Sequence, residues 1–355
     1  MNTVALLLPA RRVATRRRWV TPALLLALLA AATFSLCSGA MHLGVTEVFG
    51  ALLRWLTGQP MQGADAVVLT LRLPRVLMAM LVGGALACSG AVMQGMFRNP
   101  LVEPGLMGVS AGSALGAIGV IVLGGHWFGS MVSLRGSFAT AIAAFAGGLL
   151  TTVLVYALGR RRRGVASLLL AGVAMNAIAM AGIGILTYLA DELQLRALSF
   201  WTLGSLGGTG WIQLAAVAPW MVLALACLPR YASALNALLL GEREAALLGY
   251  SPERLQRVLI AWTALATGSA VAMCGVISFV GLLVPHLVRL VWGPDHRLLI
   301  PASAIGGALL LTGADTAART VVAPAELPVG IITALLGGPF FLWLLMRIRA
   351  NGADA

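Results

Sequence analysis

The sequence LRLPRVLMAMLVGGALACSGAVMQGMFRNPLVEPGLMGVSAGSALGAIG occupies residues 71–119 and contains the strongest structural signal in the chain. Residues 76–97 include no Asp, Glu, Lys or Arg. At 1.5 Å per residue, this run of about 22 residues is roughly 33 Å long, enough to cross a bilayer. Two prolines in residues 98–105 then end the helix, and a second uncharged run starts at Leu106. The pattern predicts a helical hairpin: a span, a tight turn and a return span.

The return span carries glycines at positions 108, 112 and 116, a spacing of four. In a membrane this spacing lets two helix backbones approach closely. Residues 108–112 also fit the G-x-S-x-G pattern of hydrolase nucleophiles. That pattern needs a strand–turn–helix context with Asp and His partners. Because Ser110 lies in an apolar helical run, the glycines favour helix packing over hydrolysis.

Composition excludes a soluble domain. The chain has 355 residues, 60% hydrophobic and 10% charged, whereas soluble domains carry about 25% charge. All 24 basic residues are arginine. A phosphate-binding Walker A loop needs lysine, so any ATP chemistry must come from another polypeptide. The four cysteines have no metal-site or disulfide spacing, which predicts buried free thiols.

Uncharged runs divide the chain into ten predicted spans, an all-α polytopic architecture. The first run is too long for a signal-peptide core and is interpreted as an uncleaved span after a basic segment, residues 1–18. The spans are 19–37, 76–97, 106–123, 137–158, 165–190, 210–228, 258–276, 277–293, 298–314 and 328–346. The predicted domains are a cytoplasmic segment 1–18, a transmembrane domain 19–348 that contains a cytoplasmic loop 229–257, and a cytoplasmic tail 349–355.

The arginines predict the orientation, with both termini in the cytoplasm. Eighteen of the 24 arginines, including Arg160–Arg163, fall on the predicted inner side. The outer six are Arg54, Arg72, Arg75, Arg135, Arg196 and Arg319. Because this distribution explains the basic charge by topology, it argues against nucleic-acid binding. Spans 2–5 and 7–10 run in opposite senses, the arrangement of an inverted repeat.

Ionisable groups are nearly absent from the spans. Ion-coupled carriers normally keep carboxylates or a proton relay at membrane depth. The nearest candidate is His286, which the pattern places close to a helix end. An ion-coupled secondary transporter and a membrane-embedded enzyme are therefore disfavoured, and energy must reach the spans from outside the membrane.

The predicted loop 229–257 offers an entry point for that energy. Leucines at 238–240 and 248 and alanines at 245–246 form an apolar face beside residues 242–244. Gly249 ends this segment, and Ser251 and Pro252 start the next helix. The pattern predicts short helices that need a partner. The alternative is a helix lying on the bilayer surface; a channel would not need such a loop.

The motifs R-L-P-R (72–75), G-A-V-M-Q (90–94) and N-P-L-V-E-P-G-L-M-G-V-S-A-G (99–112) resemble the signature of the FecCD family. These ABC-importer permeases carry iron-siderophores, haem and vitamin B12. The resemblance implies two permease copies in a bacterial inner membrane, two ATPase subunits that bind ATP and Mg²⁺, and a periplasmic substrate-binding protein. It implies no cofactor on this chain, and it supports the inverted repeat.

The resemblance also assigns sites. The residues that pair with the binding protein would be Arg72, Arg75 and Arg319. Interface anchoring is the alternative, and Asp315 and Glu326 could neutralise Arg319 internally. The residues that contact the ATPase would be Leu240, Gly241, Glu242, Ala245, Leu248 and Gly249. The cytoplasmic gate would comprise Asn99, Pro100, Leu101, Val165, Ala166 and Ser167, and Asn176 would line the pathway.

Residues 195–208 are most similar to the haem-importing branch of the family. Haem carries two propionates, which Arg196 could contact transiently; its alternative role is docking. His42 and His126 could ligate iron, but isolated loop histidines are usually solvated, and no metal site is predicted. Haem is the expected cargo, followed by ferric siderophore and then cobalamin.

Overall fold

The computed structural model describes residues 19–39, 41–128, 132–159 and 165–352. All regular structure within these ranges is helical, which confirms the predicted all-α class. The basic segment 1–18 and the charge run Arg160–Arg163 lie outside the described residues, as do the last three residues of the predicted tail.

In the part of the chain that the structure describes, each predicted span contains a helix, and four further helices lie between the spans, two of them in the loop 229–257. In chain order they are α1 (Val20–Cys37), α2 (Val45–Thr57), α3 (Leu73–Phe97), α4 (Val109–Phe128), α5 (Val132–Gly159), α6 (Val165–Leu189), α7 (Glu192–Thr202), α8 (Trp211–Cys227), α9 (Ala232–Leu240), α10 (Glu242–Leu247), α11 (Pro252–Cys274), α12 (Val280–Trp292), α13 (His296–Thr320) and α14 (Val329–Gly352). A π-helical segment, Val67–Arg72, leads into α3.

By length and composition, seven helical segments of the described chain can cross a bilayer. The other three predicted spans correspond to shorter apolar stretches, Val109–Gly124, Val280–Trp292 and Val329–Leu344. At 13 residues, α12 is roughly 20 Å long, shorter than a hydrocarbon core of about 30 Å. The ten predicted spans therefore each contain a helix, but these three are shorter than a typical spanning helix.

The centre of the bundle is α3, the first helix of the hairpin stretch, and it is buried along most of its length. It packs against α13, α12, α11 and α8. A Cβ on Gly83 would overlap the carbonyl of Gly307 in α13, and one on Gly90 would overlap the carbonyl of Gly281 in α12. Backbones meet at these points, so α3 can contact several helices at once.

Helices α4 and α5 form a second close pair, which confirms the prediction from the glycine spacing. A Cβ on Gly112 would lie 2.5 Å from the Gly147 carbonyl oxygen, and one on Gly116 would overlap the carbonyl of Ala143. Gly119, on the same helix, has no atom within 4 Å of the position a Cβ would occupy.

This contrast gives a paired prediction. Gly112→Ala should lower the free energy of unfolding by about 1–3 kcal/mol, since the added methyl group must separate two backbones. Gly119→Ala should leave stability unchanged or raise it by up to about 1 kcal/mol, because alanine favours the helix. Denaturant unfolding of the purified variants measures both. Equal effects would contradict the close-packing interpretation.

The segment between α3 and α4 differs from the tight turn predicted. Arg98, with φ 50°, ends α3, but residues 102–107 then fold back into the bundle. The Asn176 Nδ2 atom of α6 donates to the Gly105 carbonyl at 3.3 Å. A Cβ on Gly281 would lie 2.9 Å from the Leu86 carbonyl oxygen and 3.4 Å from Pro104 Cδ. Because Leu86 is roughly 16 Å from the end of α3, this re-entrant segment reaches about the middle of the bundle.

A second non-helical segment, residues 275–279, separates α11 from α12 and agrees with the predicted split at Gly275. Gly275 and Phe279 have φ values of 69° and 67°. The left-handed conformation is strained for a bulky side chain. The Phe279 ring packs where a Cβ on Gly337 would lie and 6.2 Å from the Phe341 ring centroid. The two breaks follow the second and seventh predicted spans, equivalent positions of the predicted repeat.

The two ends of the helix bundle are called the Arg75 end and the Leu247 end, each after a residue that it contains. The Arg75 end contains α2, α7, the start of α3 and the end of α13. The Leu247 end contains α9, α10, the end of α3 and the start of α13.

At the Arg75 end, Arg54 of α2 pairs with Asp65 at 2.6 Å. This hydrogen bond lowers the pKa of Asp65 to about 2. The pair therefore contributes its full stabilisation at pH values above the ordinary pKa of an Asp carboxyl, and this contribution is lost as the pH falls through about 2.

Candidate functional site

Arginines predicted to dock a partner form an internal network at the Arg75 end. Arg75 Nη2 lies 2.9 Å from Asp315 Oδ1, and Arg75 Nη1 lies 2.9 Å from Glu326 Oε2. Arg319 Nε lies 3.1 Å from the second oxygen of Asp315. One carboxylate, 1% exposed, thus holds the start of α3 and the end of α13 together.

The buried guanidinium groups also bind the end of α1. Arg72 donates to the carbonyls of Leu36, Cys37 and Met41. Arg319 donates to the Ser35 carbonyl at 3.1 Å, with further bonds to the Ser35 hydroxyl and the Ser38 carbonyl. The last carbonyls of a helix lack intrahelical partners and carry partial negative charge. Arg72 and Arg319 satisfy them and attach α1 to the bundle.

Only part of this network reaches the surface. The side chain of Glu326 is 47% exposed and that of Arg75 is 12% exposed, whereas Arg72 and Arg319 are buried. In this conformation, Arg75 and Glu326 are the network members a partner could reach. Docking by the three arginines stays a prediction.

At the Leu247 end, the segment 229–257 contains α9 and α10, and a further helix, α11, starts at Pro252. Gly241 joins α9 to α10 with φ 135°, and a Cβ there would overlap the Glu244 carboxylate, so this joint requires glycine. Gly249, with φ 89°, follows α10. Ser251 precedes α11, but its side chain forms no capping hydrogen bond.

Exposed leucines form an apolar surface on this segment. Ala245 is buried against the bundle, whereas Leu240, Leu247 and Leu248 are exposed. These three leucines are called the coupling surface below, and Glu242 lies exposed beside them. Leu247 is 83% exposed and is absent from the residues predicted to contact the ATPase. In the sequence, the adjacent residues Leu247 and Leu248 just before Gly249 were the feature that could have identified Leu247 as part of this surface.

Hydrogen bonds attach α9 to the bundle. Asn236 Nδ2 donates to Asp295 Oδ1 at 2.8 Å, and the His296 backbone nitrogen donates to Asn236 Oδ1 at 2.9 Å. The His296 ring in turn occupies the space beside Gly95, where a Cβ would overlap it. These contacts connect α9 to the start of α13 and to the end of α3.

The two predicted gate segments lie at the Leu247 end. Asn99 Oδ1 accepts from the Leu101 backbone nitrogen at 2.9 Å, and Pro100 and Leu101 are exposed. Val165 and Ala166 begin α6. Ser167 Oγ donates to the Gly159 carbonyl at 2.7 Å, which ties the start of α6 to the end of α5.

A cavity of about 410 Å³ lies between the re-entrant segment and the second break. It is lined by Glu103–Leu106 and Val276–Ser278 and by side chains of α4, α6 and α11, including Asn176. A larger cavity of about 810 Å³ lies beside α7 and is lined by Phe200, Trp201 and Glu326 among others. Arg196 is exposed on α7 and lines neither cavity.

The predicted histidines occupy different environments. His42 is exposed between α1 and α2, and His126 lies in the last turn of α4. His286 is not at a helix end: it is buried midway along α12, 6.0 Å from the Phe340 ring centroid. In the described part of the chain, no group of three or more His, Cys, Asp or Glu is placed to hold a metal.

All four cysteines are free, but they are not equally buried. Cys88 and Cys274 are buried, whereas Cys37 and Cys227 are half-buried. The predicted burial therefore applies fully to only two of them.

These features define a class: a polytopic helical membrane transport protein whose non-helical segments line an internal cavity. The FecCD transport family model matches residues 26–347. The chain is 44% identical over 336 residues to the hemin transport system permease protein HmuU of Yersinia pestis, covering 93% of this chain and 97% of that protein. It is 39% identical over 342 residues to the vitamin B12 import system permease protein BtuC of Klebsiella pneumoniae, covering 95% and 96%.

A solved structure described as an inward-facing conformation of a putative metal-chelate type ABC transporter has a TM-score of 0.81 with this fold. It is 32% identical and covers 92% of this chain and 99% of its own. The chain belongs to the FecCD transport family. It is an ABC transporter permease, a transport component rather than a catalytic one.

Proposed function

We propose that this chain is the permease subunit of a binding-protein-dependent importer that moves haem from the periplasm to the cytoplasm of a bacterium. Two copies form the pathway in the inner membrane, and two ATPase subunits bind the Leu247 end. ATP and Mg²⁺ bind to those ATPases, since this chain has no lysine for a Walker A loop.

The coupling surface is the observation that carries this proposal. Exposed leucines at the end of α9 and at the end of α10 indicate a protein partner. Because α10 joins α9 through Gly241, and Asn236 of α9 is hydrogen-bonded to Asp295 and His296, movement of a partner displaces the start of α13. An ATPase that opens and closes there drives alternating access.

The remaining predicted sites take their roles within this scheme. The segments Asn99–Leu101 and Val165–Ser167 form the inner gate, near the surface that the ATPase contacts. Asn176 lines the pathway, and Arg196 contacts the haem propionates transiently on the outer side.

The binding protein docks on the Arg75 end. Acidic residues on its two lobes compete with Glu326 for Arg75, and Arg72 and Arg319 add positive charge from below the surface. Three arginines and two carboxylates leave a net charge of +1, which favours an acidic partner.

Haem is the first candidate cargo because the hemin permease shares 44% identity with nearly the whole chain. Cobalamin is the second candidate, supported by the 39% identity with a vitamin B12 permease. Ferric siderophore remains a third, since the solved relative is described as a metal-chelate type transporter.

Uptake by the complete complex tests the proposal. Proteoliposomes that contain the permease, its ATPase and its binding protein should accumulate haem when ATP is supplied to the ATPase side. Ferric siderophore and cobalamin are measured in parallel, and a hydrolysis-deficient ATPase is the control. Accumulation of cobalamin without haem would reassign the cargo. Accumulation driven by an ion gradient without ATP would overturn the importer mechanism.

A further inference from the structure

Glu103 occupies an unexpected position in the structure. Its place in the sequence, between two uncharged runs, predicts a carboxylate in a turn at the membrane surface. The re-entrant segment instead carries Glu103 into the bundle, where it lines the cavity of about 410 Å³ together with Leu86 and Gly281. An ionisable side chain at membrane depth usually marks a functional site.

Among the residues that the structure describes, no arginine forms an ion pair with this carboxylate. In the described part of the chain, the ion pairs join Arg54, Arg75 and Arg319 to other carboxylates, and none includes Glu103. Glu103 is half-buried, and a carboxylate that is partly withdrawn from water without a partner is destabilising. Glu103 is therefore neutralised either by a proton or by a cation from outside the chain, and the other groups in the cavity favour a cation.

Other oxygen atoms in the same cavity also lack partners. Asn176 Oδ1 and Thr267 Oγ1 are buried and form no hydrogen bond, and Thr267 is only 1% exposed. Both residues line the cavity. The Ser110 hydroxyl lies on the same side of Gly105 as the carboxylate. Ser110 Oγ and Glu103 Oε1 are 3.5 and 3.3 Å from the point that a Cβ on Gly105 would occupy. The side-chain oxygens named here are thus carboxylate, amide and hydroxyl oxygens, which are ligands of hard cations.

Charge and volume indicate the kind of cation. A single carboxylate balances one positive charge, and the described residues hold no acidic or histidine cluster of the size that dedicated divalent sites use. At about 30 Å³ per water, a cavity of about 410 Å³ has room for a monovalent ion with several waters. Those waters can bridge the ion to walls that it does not touch directly.

We propose that this cavity binds one alkali cation, Na⁺ or K⁺, with the Glu103 carboxylate as its charged ligand. Asn176 Oδ1 and Thr267 Oγ1 supply neutral oxygens, directly or through water. The bound ion neutralises Glu103 and so keeps the re-entrant segment, which continues from the gate residues Asn99–Leu101, inside the bundle. This site does not depend on which cargo is transported.

Direct binding tests the site in the full-length permease in lipid nanodiscs. Equilibrium dialysis with ²²Na⁺, competed by unlabelled NaCl or KCl, should show saturable binding of about one ion per chain. Glu103→Gln should abolish it. Thr267→Val should weaken it about threefold or more, because an oxygen ligand is lost without a change of shape. Thr263→Val is the matched control: Thr263 lies one turn earlier on α11 and donates to the Leu259 carbonyl at 2.8 Å, so binding should be unchanged.

Thermal unfolding supplies a second measurement that does not need radioactivity. Replacing choline chloride with NaCl or KCl at constant ionic strength should raise the Tm of the wild type and of Thr263→Val by about 2 °C or more. The rise should be lost in Glu103→Gln. Absence of saturable ²²Na⁺ binding together with no rise of Tm in NaCl or KCl would overturn the proposal, as would unchanged binding in Glu103→Gln. A Tm that depends on pH but not on the alkali ion would assign a proton to Glu103 instead and would equally overturn it.

Discussion

Asp315→Asn should lower the free energy of unfolding of this permease by about 3–5 kcal/mol, since it leaves the buried Arg319 without a carboxylate and Arg75 with only the exposed Glu326. Asp315 is bonded to Arg75 and Arg319 through both carboxylate oxygens. Asparagine preserves the shape but removes the charge. The loss should appear as a shift of the unfolding midpoint in mixed micelles, followed by tryptophan fluorescence.

Glu326→Gln is the matched control for that substitution. Glu326 also pairs with Arg75, at 2.9 Å, but its side chain is 47% exposed. Exposed ion pairs contribute about 0–1 kcal/mol because water and salt screen them. A Glu326→Gln effect as large as that of Asp315→Asn would show that burial does not determine the strength of this network. A negligible effect of Asp315→Asn would show that this carboxylate is not needed to hold α1, α3 and α13 together.

Leu247→Glu should reduce co-purification of the ATPase with the permease by at least about tenfold. Leu247 is 83% exposed on α10, and truncating a hot-spot residue at the centre of an interface costs about 2 kcal/mol or more. A glutamate there also introduces a desolvated charge into an apolar interface. Permease folding should be unaffected because the side chain does not pack into the bundle, and gel filtration in detergent checks this.

Leu193→Glu is the control for surface leucines in general. Leu193 is 81% exposed on α7, at the Arg75 end. The substitution adds the same charge at the same exposure but on the opposite end of the bundle, so ATPase co-purification should be retained. Equal losses in the two variants would indicate a general solubility effect. Normal co-purification of Leu247→Glu would place the ATPase contact elsewhere.

Helices are the part of this protein that the sequence predicts most directly. The uncharged run 76–97 corresponds to α3 (Leu73–Phe97), and the run 165–190 corresponds to α6 (Val165–Leu189). In lipid, every backbone polar group must be satisfied internally, so an uncharged segment of sufficient length has to be helical. The positions of Gly112 and Gly116 likewise predict a close helix pair, because only glycine permits that backbone approach.

The helices α2 and α7 were harder to predict. Each is short and carries charged residues, Glu47 and Arg54 in α2 and Glu192 and Arg196 in α7. Segments of this kind lack the uncharged signature of a span, and their helical structure depends on what they pack against. In α2, Val48 and Ala51 are buried against Val68 and Val76, residues that lie beyond the helix itself.

By itself, the sequence determined that this chain is an all-helical membrane protein, because lipid selects strongly for charge-free helical segments. Its resemblance to the FecCD family came from the motifs at residues 72–75, 90–94 and 99–112. Only the tertiary structure decided what the few charged residues do. Arg75 meets Asp315 across 240 positions of sequence, and Glu103 enters the bundle although its neighbours read as a surface turn. Charged groups near the ends of spans have the same sequence signature whether they face water or one another, and only the packing of distant helices distinguishes the two cases.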